Sequence, residues 1–98
     1  MVKYMEIKIH TVGKIVSGNE YEDWYIFIQT FRKTGHYLLL MSNNKMFGKN
    51  EDGSLIEGRE GYDDWAQDMA TLESYFNHRD WEIEWFAKKP AWLPNEID

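Results

Sequence analysis

The sequence predicts an α+β fold: a mostly antiparallel sheet of about five or six strands, with one main helix packed on one face and a final strand after it. Several short segments alternate apolar and polar residues, which is the two-residue period of a strand. One segment, about residues 63–77, instead spaces its apolar residues along one face of a helix. Because few residues join this helix to the strand that follows, the helix is expected to lie across one face of the sheet.

The first half of the chain supplies most of the predicted strands. Residues 4–10 (YMEIKIH) alternate apolar and polar side chains and predict a half-buried strand, followed by a bend at Gly13. Residues 23–32 (DWYIFIQTFR) carry aromatic and β-branched side chains on both faces, which predicts a central strand covered at least partly on both sides. A turn at 33–35 leads into another strand over 36–42, and Asp52-Gly53 predicts a small hairpin in the loop that follows.

The helix is predicted from four apolar residues at positions i, i+4, i+7 and i+11, namely Trp65, Met69, Leu72 and Phe76. These side chains are expected to be buried. Either Asp63 or Asp64 is predicted to cap the helix N-terminus, where a carboxylate accepts hydrogen bonds from free backbone amides.

Residues 81–86 (WEIEWF) alternate cleanly and predict the final strand, with the two tryptophans and the isoleucine facing inward. The segment from about residue 87 holds both prolines and is expected to be irregular. Within it, Trp92 either folds back over the sheet or stands exposed as an anchor. The whole chain, residues 1–98, is expected to form a single domain.

The composition indicates a cytoplasmic protein with an acidic surface. The chain has no cysteine, which excludes disulfides and cysteine nucleophiles, and no apolar segment of the length that a signal peptide or membrane span needs. Residues 1–50 carry seven basic and four acidic residues, whereas residues 51–98 carry four basic and thirteen acidic ones. This balance argues against direct nucleic-acid binding and favours either a basic partner or a merely solvated acidic surface.

The sequence predicts no cofactor and no metal site, and the protein is expected not to be an enzyme. Its three histidines, His10, His36 and His78, lack the spacing of metal ligands, and the Asp52-Gly53 stretch lacks the acidic anchors of a calcium loop. Acid–base catalysis by the helix carboxylates would need one raised pKa, for which the sequence supplies no cause. The catalytic alternative is a small enzyme that uses His10 and His36.

Acidic and aromatic residues beside the predicted helix favour a docking surface. Around the helix axis, Asp64, Asp68 and Tyr75 adjoin the apolar residues, while Glu73 lies on the other flank. The glutamates of the final strand point away from its tryptophans and are expected to face solvent. The residues predicted to bind a partner are Asp63, Asp64, Asp68, Glu73, Tyr75, Glu82, Glu84 and Trp92.

The arrangement EDWYIFIQ…TGHYLLL, then GYDDW…LESYF, then WEIEW, within residues 21–86, resembles the small acidic immunity proteins of bacterial toxin–immunity systems, including contact-dependent growth inhibition. The resemblance lies in pattern and composition. It implies a non-catalytic cytoplasmic protein that binds a cognate toxin, often a basic nuclease, and blocks its active site. Two other classes stay open: a phage-encoded inhibitor that mimics DNA, and a structural or adaptor domain without a charge-dependent partner.

Overall fold

The computed structural model describes residues 6–86 and 88–98, which form a six-stranded, mostly antiparallel sheet with one α-helix on one face. In chain order the elements are β1 (Val12–Ser17), β2 (Tyr25–Phe31), β3 (Tyr37–Ser42), β4 (Gly61–Ala66), α1 (Met69–His78), β5 (Glu82–Phe86) and β6 (Glu96–Ile97). The strand order is β4-β3-β2-β1-β5, and β6 pairs in parallel with β2. The predicted α+β fold is confirmed, and β4 and β5 end the main run of strands.

The helix-facing side of the sheet holds the larger of two apolar clusters. Ile26 and Ile28 of β2 are fully buried there, in one cluster with Leu72 and Phe76 of α1. Trp81, just before β5, joins them, with its ring centroid 5.2 Å from that of Phe76. Fully burying a side chain of this size contributes about 1.5–3 kcal/mol, so these residues fix the helix on the sheet.

The opposite face is covered by the C-terminal segment. Leu93 is buried with Phe27 of β2, and the indole N–H of Trp92 donates to the carbonyl oxygens of Met46 and Lys49, both at 3.1 Å. Of the two alternatives predicted for Trp92, the structure shows the folded-back one. β2 is therefore covered on both faces, as predicted, and the segment expected to be irregular contains a short strand, β6.

The strand predicted over residues 4–10 is wrong in the part that the structure describes, residues 6–10, which contain no strand. One hydrogen bond, from His10 N–H to Ile28 O at 2.9 Å, joins this segment to β2. His10 has a left-handed φ of 57°, which is incompatible with a continuous extended strand. The edge of β2 is instead used by β1 and β6.

Gly13 does not form the predicted bend but lies inside β1. It pairs with Ile26 of β2 on one side and with Trp85 of β5 on the other. A Cβ at this position would lie 2.6 Å from Ile83 Cγ2 and 2.9 Å from Trp85 Cε3. Glycine is needed here because two β5 side chains lie directly over its Cα.

The helix predicted over 63–77 begins later, because residues 61–66 form β4. β4 pairs with β3 along its whole length, from Tyr37↔Ala66 to Ser42↔Gly61. These ladder hydrogen bonds satisfy an edge of β3 that would otherwise have no strand beside it.

The N-cap of α1 is Asp68, so the prediction of Asp63 or Asp64 as the cap is wrong. The Asp68 carboxylate accepts hydrogen bonds from the Thr71 N–H at 2.8 Å and from the Thr71 hydroxyl at 2.7 Å. Asp68 itself is extended, with φ −152° and ψ 172°, which stops the helix from continuing toward β4.

The turns predicted at 33–35 and at Asp52-Gly53 are present. Gly35 closes the turn between β2 and β3 with a φ of 75°. Gly53 donates its N–H to Asn50 O at 3.0 Å, but the predicted hairpin around it is limited to a single bridge between Lys49 and Leu55.

Candidate protein interface

The edge strand β4 brings acidic and aromatic side chains together. Its first five residues are all exposed. Strand alternation sends Tyr62 and Asp64 to the helix side of the sheet, and Asp63 and Trp65 to the other side. We call these four residues, together with the helix cap just beyond them, the β4 acidic edge: Tyr62, Asp63, Asp64, Trp65 and Asp68.

The two aromatic rings of the β4 acidic edge are exposed but held in place. Tyr62 is 56% exposed and stacks on Trp24, with centroids 5.7 Å apart and an angle of 11° between the planes. Trp65 is 51% exposed and meets the His36 ring edge-on at 4.9 Å. Rings fixed by neighbours lose little rotamer freedom on docking, which makes them effective contact surface.

The carboxylates of β4 have no ion-pair partner among the described residues. Asp64 Oδ1 accepts a hydrogen bond from the Trp65 N–H at 2.9 Å, and Asp63 stands on the opposite face. The hydrogen bond from the Thr71 hydroxyl, followed by that from the Thr71 amide, lowers the pKa of Asp68. The β4 acidic edge therefore concentrates negative charge that no lysine or arginine within the described part of the chain neutralises through an ion pair.

Tyr75 lies next to this edge, as predicted. It shares a crevice of about 20 Å³ between β4 and α1 with Asp64, and it lines a shallow groove on α1 with Asp68. Burial raises the pKa of the Tyr75 hydroxyl, the positive charge of Arg79 opposes that shift, and the negative charge of Asp64 adds to it. The Arg79 guanidinium stacks on the ring, with Cζ 3.6 Å from its centroid.

On the face opposite α1, a groove of about 700 Å³ extends from β4 to the C-terminal segment. Its apolar lining includes Leu40, Phe47 and Leu93, while Asp63 lies at the β4 end. Gln29, only 5% exposed, donates its side-chain amide to Pro94 O at 2.8 Å and holds the C-terminal side of the groove. An apolar groove with a carboxylate at its end matches a lysine or arginine side chain, whose stem is apolar and whose tip is charged.

Glu82 and Glu84 are exposed, as predicted, but they belong to the other edge strand, β5. Four strand-to-strand steps of about 4.8 Å separate β4 from β5, so these glutamates lie about 19 Å from the β4 acidic edge. Glu84 also faces Lys14 directly across the β1–β5 ladder. They do not form one cluster with the aspartates.

The two remaining predicted residues lie elsewhere. Glu73 is exposed on α1. Trp92 is held by its two hydrogen bonds and by the Lys49 ammonium, which lies 5.5 Å from its ring centroid. Of the predicted docking residues, the structure groups Asp63, Asp64, Asp68 and Tyr75.

Sequence reasoning missed the two aromatic members of the site. Trp65 is predicted to be buried with Met69, Leu72 and Phe76. It lies in β4, however, and the other three lie in α1, so a helical spacing does not place their side chains on one face. The local signal that separates them is Asp68, which stands three residues before Thr71, as a helix cap does. Residues 61–66 do not themselves alternate as a strand, so the sequence offers no comparable signal for β4.

The histidines of the catalytic alternative do not meet. His10 contacts the β1 edge of β2, where its Nε2 is 2.9 Å from Thr30 Oγ1, whereas His36 precedes β3 at the opposite edge and packs on Trp65. Within residues 6–86 and 88–98, no three His, Asp or Glu side chains lie close enough to hold a metal ion. Over the same residues, no helix has both the length and the apolar character needed to cross a bilayer.

Comparison of the chain with protein-family models, curated proteins and solved structures finds no match.

Proposed function

We propose that this protein is a non-catalytic inhibitor that acts in the cytoplasm by binding a cognate basic toxin, with the β4 acidic edge at the centre of the interface. The observation that carries the proposal is the grouping of three carboxylates and two exposed, supported aromatic rings on one sheet edge. The class of toxin is the one that the resemblance to immunity proteins implies, a nuclease domain.

The physical basis is charge complementarity. An enzyme that acts on nucleic acid holds phosphates with lysine and arginine, so its substrate site is positive. Carboxylates on a rigid strand can occupy the positions of those phosphates, and opposite charge speeds the encounter of the two proteins. Exposed tyrosine and tryptophan add the apolar contacts that usually contribute most to affinity at an interface.

Co-expression tests the proposal. The protein is expressed together with the C-terminal domain of the protein that the reading frame immediately upstream encodes in its native genome, and colony formation is scored. That domain alone is expected to stop growth. The wild type is expected to restore growth. The variant Asp63→Lys/Asp64→Lys, which replaces both β4 carboxylates with positive charge, is expected to fail.

The chain offers a matched control in Glu82→Lys/Glu84→Lys. Each double variant adds four units of charge and moves the net charge from −6 to −2, so the two differ only in which sheet edge is changed. The control is expected to restore growth as the wild type does, with thermal melting showing that both variants are folded. Failure of the wild type to restore growth would overturn the inhibitor proposal, and equal rescue by both variants would overturn the role of the β4 acidic edge.

A further inference from the structure

We infer that the partner docks by adding a β-strand to the outer edge of β4, and that the added segment is extended and carries lysine or arginine side chains. The inference rests on the proposed function and specifies how the same site is engaged. The backbone of β4 would bind the added strand through hydrogen bonds, and the side chains of β4 would select the partner.

The backbone of β4 presents hydrogen-bonding groups that face away from the sheet. Asn43 N–H donates to Glu60 O at 3.0 Å, and these two residues lie opposite each other in the β3–β4 register. Every second pair from there is hydrogen-bonded, so Tyr62 and Asp64 bond to β3. In an antiparallel ladder these pairs alternate with pairs that bond outward. The outward-facing amides and carbonyls are those of Gly61, Asp63 and Trp65.

One of the outward amides is already occupied. Trp65 N–H is the group that donates to the Asp64 carboxylate at 2.9 Å, which agrees with its outward direction. The amides of Gly61 and Asp63 have no acceptor among the described residues, and no described strand lies beyond β4. A strand laid along this edge therefore finds two donors and three acceptors.

Side chains on either face of such a strand would meet acidic and apolar surface. Those on the face opposite α1 would lie beside Asp63 and at the mouth of the 700 Å³ groove. Those on the helix side would lie beside Asp64 and the exposed ring of Tyr62. Cross-strand neighbours are about 4.5–5.5 Å apart at Cβ, which is close enough for lysine or arginine to pair with these carboxylates.

The same charges oppose pairing with a second copy of this chain in the registers that place two carboxylates opposite each other. If two β4 strands met in antiparallel orientation, the register centred on Asp63 would place that residue opposite its own copy, and the register centred on Asp64 would do the same. The register centred on Tyr62 would place Asp64 opposite Glu60. Like charges directly opposite one another destabilise a strand pair, so these three registers oppose self-pairing, whereas the register centred on Gly61 would place Asp63 opposite Arg59. A basic strand meets no such repulsion in any register.

Backbone amide hydrogen exchange, followed by NMR, tests the inference directly. The probe is the capped hexapeptide Lys-Val-Arg-Val-Lys-Val at millimolar concentration, and the matched control is Lys-Pro-Arg-Pro-Lys-Pro, which has the same charge but lacks alternate amide donors. The first peptide is expected to slow exchange of the Gly61 and Asp63 amides by about tenfold or more. The amides of Tyr62 and Asp64, which already bond to β3, should exchange slowly with or without peptide.

Three outcomes would overturn the inference. Equal binding of both peptides without protection of Gly61 and Asp63 would mean that charge alone attracts the partner, and the proposed function would survive. No binding of either peptide would remove the strand-pairing mode, while the growth assay decides separately on inhibition. Protection of these two amides that increases with protein concentration in the absence of peptide would show that a second copy covers the edge.

Discussion

At the scale of single residues, Gly13 is a position where the sheet accepts no side chain, and this can be tested. The Cβ of Gly13→Ala would collide with Ile83 and Trp85, so the free energy of unfolding is expected to fall by about 1–3 kcal/mol. Urea denaturation measures it. The control Val16→Ala, at a β1 position 38% exposed, is expected to change stability by no more than about 0.5 kcal/mol. Wild-type stability in Gly13→Ala would show that the Ile83 and Trp85 side chains do not cover Gly13 as described.

The contribution of the Asp68 helix cap to stability is expected to depend on pH. Hydrogen bonds to the carboxylate place its folded pKa below the ordinary value of 3.8, so the cap stabilises the fold above that value and is lost as pH falls through the lowered pKa. Replacing an N-cap by alanine is expected to lower Tm by roughly 4–8 °C at pH 7. The difference in Tm between the wild type and Asp68→Ala should shrink as pH falls below 3.8.

The control for this experiment is Asp63→Ala. Asp63 is a neighbouring aspartate that the sequence pattern also offers as a cap, but it lies in β4 and touches no helix amide. Its replacement is expected to leave Tm at pH 7 nearly unchanged. If Asp63→Ala lowered Tm more than Asp68→Ala does, the helix would begin where the sequence pattern places it.

At the scale of elements, the sequence predicts β2, β3 and β5 well, because β5 alternates polar and apolar residues while β2 and β3 are short runs of apolar and aromatic residues joined by a clear turn. It fails at the junction of β4 and α1, where Trp65 happens to lie four residues before Met69 and so extends the helical spacing into a strand. It also fails before β1, because alternation in residues 6–10 predicts a strand without showing whether a partner edge is free. Pairing partners are set by the whole sheet, which local periodicity does not encode.

The C-terminal segment contributes more to the core than the sequence predicts. Its two prolines predict irregular structure, and they give no indication that the segment covers β2. Leu93 is 1% exposed there, and Leu93→Ala is expected to lower the free energy of unfolding by about 2–5 kcal/mol. Leu55→Ala is the matched control, because Leu55 is 61% exposed and should be nearly neutral. Equal urea midpoints for the two variants would show that the C-terminal segment does not cover β2 in solution.

At the scale of the whole molecule, the sequence predicts the sign of the surface charge but not its grouping. The excess of acidic residues after position 50 appears as one feature in the sequence, yet the fold spreads it over loops, α1 and the C-terminal segment, and places two carboxylates on each of two edge strands about 19 Å apart. Asp64, Asp68 and Tyr75 are predicted as neighbours, and they are neighbours, although Asp64 reaches Tyr75 from a strand rather than along a helix. Tyr62 joins them only because β4 is an edge.

We propose that one of these two edges, the β4 acidic edge, binds a basic partner. The most direct test is calorimetric measurement of Kd for the toxic domain with the wild type, Asp63→Lys/Asp64→Lys and Glu82→Lys/Glu84→Lys. The first variant is expected to bind at least about 100-fold more weakly than the wild type, and the second within about threefold of it. Equal loss of affinity in the two variants, or a larger loss in the β5 variant, would contradict binding through the β4 acidic edge.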